Sequence, residues 1–224
     1  MARTGRVEFP GAIYHVMSRG VDGQPTFRDD VDRYGFLDLC GRLTAEGALA
    51  IHTFCLMTNH FHLICETPRG SLGRWMQKLL GRYTQCFNQR HSRTGHLWQQ
   101  RYKPIIIEPG PYLLDCSAYV HLNPVRAEMV SQPGQYAWSS YRAYADGNCV
   151  VDWVTTGLAT TLVGGADEYI KYVAAADFRH KHPLHQAERG MVLGSLGFRK
   201  AICGLIDERN IPKNSQAAKL VLPP

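Results

Sequence analysis

The sequence predicts an α+β fold in which helices pack on one face of an antiparallel sheet. Three observations support this class: short apolar runs typical of strands, amphipathic stretches with helical spacing between them, and turn residues at the boundaries. Up to Glu108, the predicted order is strand, helix, strand, strand, helix, strand. This is the element order of a ferredoxin-like antiparallel sheet.

The first predicted elements are a strand, a helix and a hairpin. Residues 12–18, AIYHVMS, predict a strand, and the acidic pair that begins at Asp29 marks the start of a helix, which Gly47 ends. The apolar runs at residues 49–57 and 60–66 predict two further strands. The Thr-Asn pair between these runs is long enough for a tight hairpin turn.

The remaining elements of the predicted sheet are a helix, a short strand and a third helix. Residues 103–108 predict a strand that Pro104 places towards the sheet edge, since proline cannot donate to a ladder. Pro111 opens the third helix, and Pro124 is expected to end it. The helix at residues 71–90 has one apolar stripe, formed by Leu72, Trp75, Met76, Leu79, Tyr83 and Phe87.

The patterning changes after about Gly147, which predicts a division of the chain. We expect the α+β domain to span residues 1–147. Residues 148–224 then form a small helical C-terminal appendage and a tail, because short helical stretches are separated by glycines there.

The composition narrows the class of protein and of partner. A net charge of +6 and a pI near 9.0 favour an acidic partner, most simply nucleic acid. Seven cysteines are scattered singly, which argues against a disulfide framework or a thiolate zinc site and fits a reducing cytoplasm. No apolar run approaches the roughly 20 residues needed to span a bilayer, so we expect no membrane partner.

Two histidines one residue apart, in CLMTNHFHLICE, are the first candidates for chemistry. Residues i and i+2 of a strand share a face, so His60 and His62 are expected together on the face away from the core. A two-residue turn would place Cys55 opposite His62. Two adjacent imidazoles can ligate one metal ion. The alternative is a pair of surface histidines on a sheet.

The third helix offers a further ligand and a nucleophile. Tyr119 and Asn123 are four residues apart and so share one helix face. An asparagine carbonyl oxygen is a legitimate ligand for a hard cation. Tyr112 is a rival nucleophile on nearly the same face, and Tyr83 and Tyr102 are weaker rivals. We prefer Tyr119 because only this tyrosine precedes a polar ligand candidate by one turn, although a helix-end signal and a core tyrosine would give the same pattern.

Basic residues recur in the second helix and beyond it, where they could neutralise phosphates. Trp98 and Tyr102 stand between some of these charges and could stack on unpaired bases, or could belong to the core. The alternative for the charges is an ordinary solvated face. The candidates for DNA binding are Arg19, Arg74, Lys78, Arg82, Arg101, Lys103 and Arg126.

Five stretches of the sequence carry a likeness to one known family. In chain order they are PGAIYHVMSRG, CLMTNHFHLICETP, GRYTQCFNQRH, GHLWQQRYK, and YVHLNPVRA followed by WSSYRAY. Together they resemble the single-tyrosine HUH (His-hydrophobic-His) transposases, and more closely the branch associated with REP sequences (repetitive extragenic palindromes). The match runs from Phe9 to about Tyr144 in the same order and spacing.

The resemblance implies a role for each candidate residue. By position, His60 and His62 would bind a divalent metal ion, Mg²⁺ or Mn²⁺, and Asn123 would be the third, polar ligand. Tyr119 would attack DNA. The implied fold is of the HUH nuclease/transposase type.

The resemblance also implies an activity and a partner. The activity is cleavage and rejoining of single-stranded DNA at hairpins (REP-like palindromes) through a covalent 5′-phosphotyrosine intermediate. The setting is the bacterial cytoplasm at the nucleoid, for a monomer or a homodimer. The alternatives are a hairpin-binding protein of the same fold without cleavage activity and an unrelated His-x-His metalloenzyme. Thr58 stands where the family commonly has proline, and Ala118 stands where a basic residue often precedes the tyrosine.

Overall fold

The computed structural model describes residues 7–176 and 183–210 of the chain. The strands are β1 (Ala12–Arg19), β2 (Ala50–Leu56), β3 (His60–Thr67), β4 (Lys103–Ile107) and β5 (Val192–Leu193). The helices are α1 (Asp30–Ala45), α2 (Leu72–Arg90), α3 (Pro111–Arg126), α4 (Tyr141–Ala145), α5 (Gly157–Val163), α6 (Ala166–Ala175) and α7 (Leu196–Asn210). None of the described helices is long and apolar enough to cross a membrane.

The strands form one sheet in the order β2-β3-β1-β4-β5. The first four are antiparallel neighbours, which confirms the predicted ferredoxin-like class. β5 pairs in parallel with Ile106 and Ile107 of β4. The placement of β4 at the edge was therefore wrong for its second half, because two residues from the C-terminal part cover it there. Pro104 lies outside this pairing, where no donor is required.

Each face of the sheet carries a core. Helices α1 and α2 pack on one face, against Phe61 and Leu63 among others. Helix α3 packs on the opposite face, where Val120 joins a second apolar cluster with Ile64 and Ile105. The histidine face was expected to lie away from the core. It does lie away from α1 and α2, but α3 covers it.

The hairpin between β2 and β3 has the predicted two-residue turn. The Met57 amide donates to the His60 carbonyl at 2.9 Å, and Cys55 stands opposite His62. The turn therefore fixes the register, and the register determines which side chains of β3 reach α3.

Helix α3 continues past Pro124, which the sequence predicted to end it. Proline has no N–H, so it cannot donate to the carbonyl of Val120 one turn earlier. The side chain of Asn123 compensates, because its Nδ2 donates to the carbonyls of Tyr119 at 2.9 Å and Val120 at 3.4 Å. The helix continues to Arg126.

Residues beyond 147 pack against the first part of the chain. The ring of Trp153 lies 5.8 Å from that of Phe54, and a Cβ at Gly41 would come within 2.7 Å of the Trp153 nitrogen. The amide of Thr155 donates to Ile51 of β2 at 2.9 Å. The predicted helices are present in this part, and the domain division at residue 147 stays a prediction. The predicted tail, KLVLPP, lies outside the described residues.

Candidate functional site

The two histidines of β3 lie on the face that α3 covers. Their ring centroids are 5.1 Å apart and nearly perpendicular. His62 is buried, with 4% of its surface exposed, and His60 is half-buried. The strand alternation that sends Phe61 and Leu63 into the α1–α2 core sends both imidazoles to the other side.

Each of the two imidazoles is held through its Nδ1 atom. His60 Nδ1–H donates to Asn59 Oδ1 at 2.7 Å, and a bond of 2.9 Å joins His62 Nδ1 to His15 Nε2. Burial, with a smaller contribution from the charge of Arg19, lowers the pKa of His60 to about 4. His60 is therefore neutral at physiological pH, which is the form that binds metal ions.

Helix α3 places Tyr119 against this pair. The Tyr119 ring lies 6.0 Å from that of His62 at 88°, within the same chain. The guanidinium of Arg126, two turns later, lies 4.8 Å from the centre of the Tyr119 ring. Burial raises the pKa of the Tyr119 phenol, while a hydrogen bond from Arg126 and its positive charge lower this pKa. Only 5% of the Tyr119 surface is exposed.

Asn123 follows Tyr119 by one helical turn and is almost fully buried. Because its Nδ2 is engaged with backbone carbonyls of its own helix, Oδ1 is the amide atom left to act as a ligand. Two imidazole nitrogens alone would suit zinc or manganese, while an amide oxygen and the oxygens of a bound phosphate favour Mg²⁺ or Mn²⁺. Within the described residues, no three side chains of His, Cys, Asp or Glu group to form a closed protein cage. The chemistry of the two imidazoles and the Asn123 amide oxygen is compatible with a metal site whose other positions are open.

The rival tyrosines lie elsewhere. Tyr83 is buried on the α1–α2 face and donates to the Thr26 carbonyl at 2.5 Å. Tyr102 is buried in the same cluster. Tyr112 packs at the margin of the α3 core. In the part of the chain that the structure describes, Tyr119 is the tyrosine whose ring contacts the histidine pair.

The predicted DNA-binding cations divide between the two faces of the sheet. Arg19 is exposed on β1 and stands directly opposite His60 in the strand register, and Arg126 is exposed beside Tyr119. The cations of α2 belong to the helix on the other face: Arg74 stacks on Trp75 at 5.0 Å, and Lys78 pairs with Glu46 of the α1 C-terminus at 2.7 Å. The structure therefore does not bring Arg74, Lys78 and Arg82 to the histidines.

A groove of about 830 Å³ runs between α2 and residues 95–102. Trp98 and Arg101 line it, and Lys103 is exposed just beyond it. Its outer wall is bonded to the end of β1, since the Gln99 amide donates to the Arg19 carbonyl at 2.9 Å. The groove thus begins beside the residue that faces His60.

The bonds that Asn59 and His15 make to the histidine pair could not be deduced from the sequence. Both lie in the motifs that the sequence singles out, and Asn59 immediately precedes the histidine pair. For Asn59, the only sequence feature that indicated a contact with His60 was that it directly precedes this residue. For His15, the signal was its strand, which pairs with β3 and places it near His62.

The IS200-like transposase family matches residues 9–123, just over half of the chain. No curated protein matches the sequence. A solved REP-associated tyrosine transposase bound to a REP hairpin is similar in structure, with a TM-score of 0.54 and 16% identity over 69% of this chain and 92% of that chain. A protein of Deinococcus radiodurans R1 proposed to be a transposase gives a TM-score of 0.37 at 15% identity, over 58% and 91%, which is too low to support an argument.

The matched region contains the histidine pair, Tyr119 and Asn123. At 16% identity, the likeness to the hairpin-bound protein shows a shared fold. Membership of the family supports a transposase-type function on DNA. The chain belongs to the IS200-like transposase family.

Proposed function

We propose that this chain cleaves and rejoins single-stranded DNA at hairpins, with Tyr119 as nucleophile. His60, His62 and Asn123 hold Mg²⁺ or Mn²⁺. The observation that carries the proposal is the 6.0 Å contact between the rings of His62 and Tyr119 within one chain. This contact within one chain supports a site that needs no second subunit, which suits a monomer and also permits a homodimer with two complete sites.

The reaction is a transfer of a phosphoryl group to tyrosine and back. A divalent ion, when bound, polarises a phosphate oxygen and offsets the charge that develops on it. The Tyr119 phenol loses its proton to solvent, and its oxygen forms a bond to the phosphorus. The bond from phosphorus to the 3′ oxygen breaks, and that oxygen gains a proton. The result is a 5′-phosphotyrosine and a free 3′-hydroxyl, which a second strand can use in reverse.

Arg126 has one partner in the DNA-free protein and a different partner in the DNA complex that we propose. In the resting protein its guanidinium lies over the Tyr119 ring and donates towards the phenol, whose burial otherwise raises its pKa. An arriving phosphate competes for the same guanidinium, since charge-assisted bonds to phosphate are stronger than contacts with a ring. We therefore propose that Arg126 moves to the phosphate and thereby exposes the Tyr119 hydroxyl to it.

The DNA is placed by cations and by the groove. Arg19, exposed opposite His60, contacts the backbone near the reacting phosphate. The unpaired strand then follows the wall from Arg19 into the groove, where Arg101 neutralises phosphate and Trp98 offers an aromatic surface. The likeness to a protein bound to a REP hairpin supports a folded strand as substrate. We assign catalysis to residues 1–147 and a supporting role to residues 148–224.

Incubation of the protein with a labelled hairpin oligonucleotide and Mn²⁺ tests this function. A covalent adduct should appear on a denaturing gel and should be absent in Tyr119→Phe. Tyr112→Phe is the matched control, because it removes a hydroxyl from the same helix and should leave the adduct unchanged. Binding without an adduct in the wild type would overturn cleavage and leave the alternative, a protein that only binds hairpins. The same assay with Mg²⁺ compares the two cations.

A further inference from the structure

Asn59 joins the hairpin turn to the first of the two histidines through its side chain. Its Nδ2 donates to the carbonyl of Gly23 at 3.0 Å, and its Oδ1 accepts from Nδ1 of His60 at 2.7 Å. Asn59 is half-buried, so these bonds are partly shielded from water. The amide thus bridges the loop after β1 and the start of β3.

The two bonds leave a single arrangement of protons. A backbone carbonyl only accepts, so the amide atom that faces Gly23 is the nitrogen. The atom that faces His60 is then the oxygen, which also only accepts. Nδ1 of His60 must therefore carry a proton, and in the neutral ring Nε2 holds the lone pair. In the part of the chain that the structure describes, Nε2 of His60 has no hydrogen-bond partner.

We propose that Asn59 is a positioning residue that sets the Nδ1–H tautomer of His60 and so presents Nε2 as the ligand atom. A neutral histidine in water prefers the other tautomer, with the proton on Nε2, and that form would have to rearrange before ligation. Metal-bound histidines commonly donate their second ring N–H to an oxygen, which fixes the ring and raises its basicity. This inference deepens the proposed function and rests on the metal role of His60.

The side chain of Asn59 can be changed without removing the turn. The turn itself is closed by backbone groups: the Met57 amide donates to the His60 carbonyl at 2.9 Å, and the Gly20 amide donates to the Asn59 carbonyl at 2.8 Å. Asn59 also has no left-handed backbone angle that would demand asparagine. A variant at this position therefore reports on the amide rather than on the hairpin.

Nitrogen NMR of the metal-free protein tests the inference directly. In the ¹⁵N-labelled wild type at neutral pH, long-range proton–nitrogen correlations should show His60 with a protonated Nδ1 and an unprotonated Nε2. Asn59→Ala removes the acceptor, so the proton should shift towards Nε2. Asn59→Asp keeps an acceptor oxygen and should keep the wild-type tautomer. Asn148→Ala, the same change at an exposed asparagine outside the site, is the matched control and should change nothing.

Titration with Mn²⁺ gives a second readout. Asn59→Ala should bind Mn²⁺ about 10- to 100-fold more weakly, the usual effect of removing a group that orients a ligand. Asn59→Asp should restore most of the affinity, and unfolding midpoints confirm that the variants are folded. An unchanged His60 tautomer in Asn59→Ala would overturn the inference, whatever the affinity. Absence of a DNA adduct in the wild type would instead overturn the proposed function, because the tautomer is measured without DNA or metal.

Discussion

Helix α3 makes several histidine–tyrosine contacts, and two of them, on opposite sides of the helix, pair rings of nearly the same geometry. On one side, Tyr119 lies 6.0 Å from His62 with rings at 88°, and on the other, His121 lies 5.8 Å from Tyr169 at 90°. We call the first group, with His60, the site cluster. The second group, with Ser140, is the buried network. Ring geometry alone does not distinguish them.

The two groups differ in how their polar atoms are used. In the buried network, both nitrogens of His121 are bonded, Nδ1 to the Tyr169 hydroxyl at 2.9 Å and Nε2 to Ser140 at 2.8 Å. His121 and Tyr169 have no exposed surface, and burial lowers the pKa of His121 to about 3. In the site cluster, His60 uses Nδ1 alone, and the exposed Arg19 stands opposite it. A histidine whose two ring nitrogens are both hydrogen-bonded holds neighbouring segments together, whereas a histidine with one nitrogen hydrogen-bonded can still bind a metal ion through the other.

The largest expected effect is the loss of DNA cleavage in His60→Ala, a variant of the site cluster. His60→Ala removes a ligand, and loss of metal-assisted charge stabilisation worth several kcal/mol should slow adduct formation by roughly a thousandfold or more. Salt-sensitive binding of the hairpin should largely remain, because it depends on cations such as Arg19. Adduct yield and binding are measured on the same labelled hairpin. If binding disappears together with cleavage, the histidine supports the structure instead.

The next largest effect is a difference in the free energy of unfolding between a variant of the buried network and a variant of the site cluster. His121→Ala removes one bond from each of the buried Tyr169 and Ser140 hydroxyls and creates a cavity, so the free energy of unfolding should fall by about 2–4 kcal/mol. His60→Ala, at a half-buried position, should lower it by less than about 1 kcal/mol. Urea unfolding of both variants gives the comparison. Equal losses would contradict the division into a structural and a functional group.

The fold was largely predictable from the sequence because its signals are local. The acid pair at Asp29 predicted the start of α1, and Asp29 does accept a bond from the Asp32 amide. The two-residue turn predicted the hairpin register. β5 was missed because two residues, Val192 and Leu193, carry no periodicity, and they become a strand only by pairing with β4.

The sequence was sufficient to select the candidate residues of the site, but it did not predict the hydrogen bonds that these residues make. Tyr119 was chosen from the polar residue one turn later and from a family likeness, but no local pattern gives its position against the histidines. The distinction between His60 and His121 depends on Asn59, Ser140 and Tyr169, and the last two come from distant segments. Pro124 is a second example. Proline usually marks the end of a helix, but here the helix continues, and the side chain of the neighbouring Asn123 donates to the carbonyl that the proline leaves without a backbone donor.

Pro124→Ala should have two smaller effects of opposite sign: the protein should become more stable and should bind Mn²⁺ more weakly. The new N–H at position 124 can donate to the Val120 carbonyl, so stability should rise by about 1–2 kcal/mol, after allowance for the freer unfolded chain. The same donor competes with the Asn123 amide, whose bond to that carbonyl is a long 3.4 Å. Mn²⁺ affinity should therefore fall by a few-fold, the worth of about 0.5–1 kcal/mol.

Pro111→Ala is the control for this change, because it stands at the first position of α3, where proline has no helical partner to displace. It should leave Mn²⁺ affinity unchanged. Urea unfolding and Mn²⁺ titration of the two variants measure both effects. A loss of stability in Pro124→Ala would contradict this expectation, because it would show that the Val120 carbonyl gains nothing from a backbone donor at position 124.

The smallest effect tests which face of the sheet the DNA occupies. Arg19→Gln removes an exposed cation beside the site cluster, so the slope of log affinity against log salt should fall by about one. Lys78→Gln, on α2, removes a cation that already pairs with Glu46 at 2.7 Å, so its slope should change by much less. Hairpin binding across a salt series measures both. A larger change for Lys78→Gln than for Arg19→Gln would place the main phosphate contacts on the α1-facing side of α2, and it would contradict the proposed contact of Arg19 near the reacting phosphate.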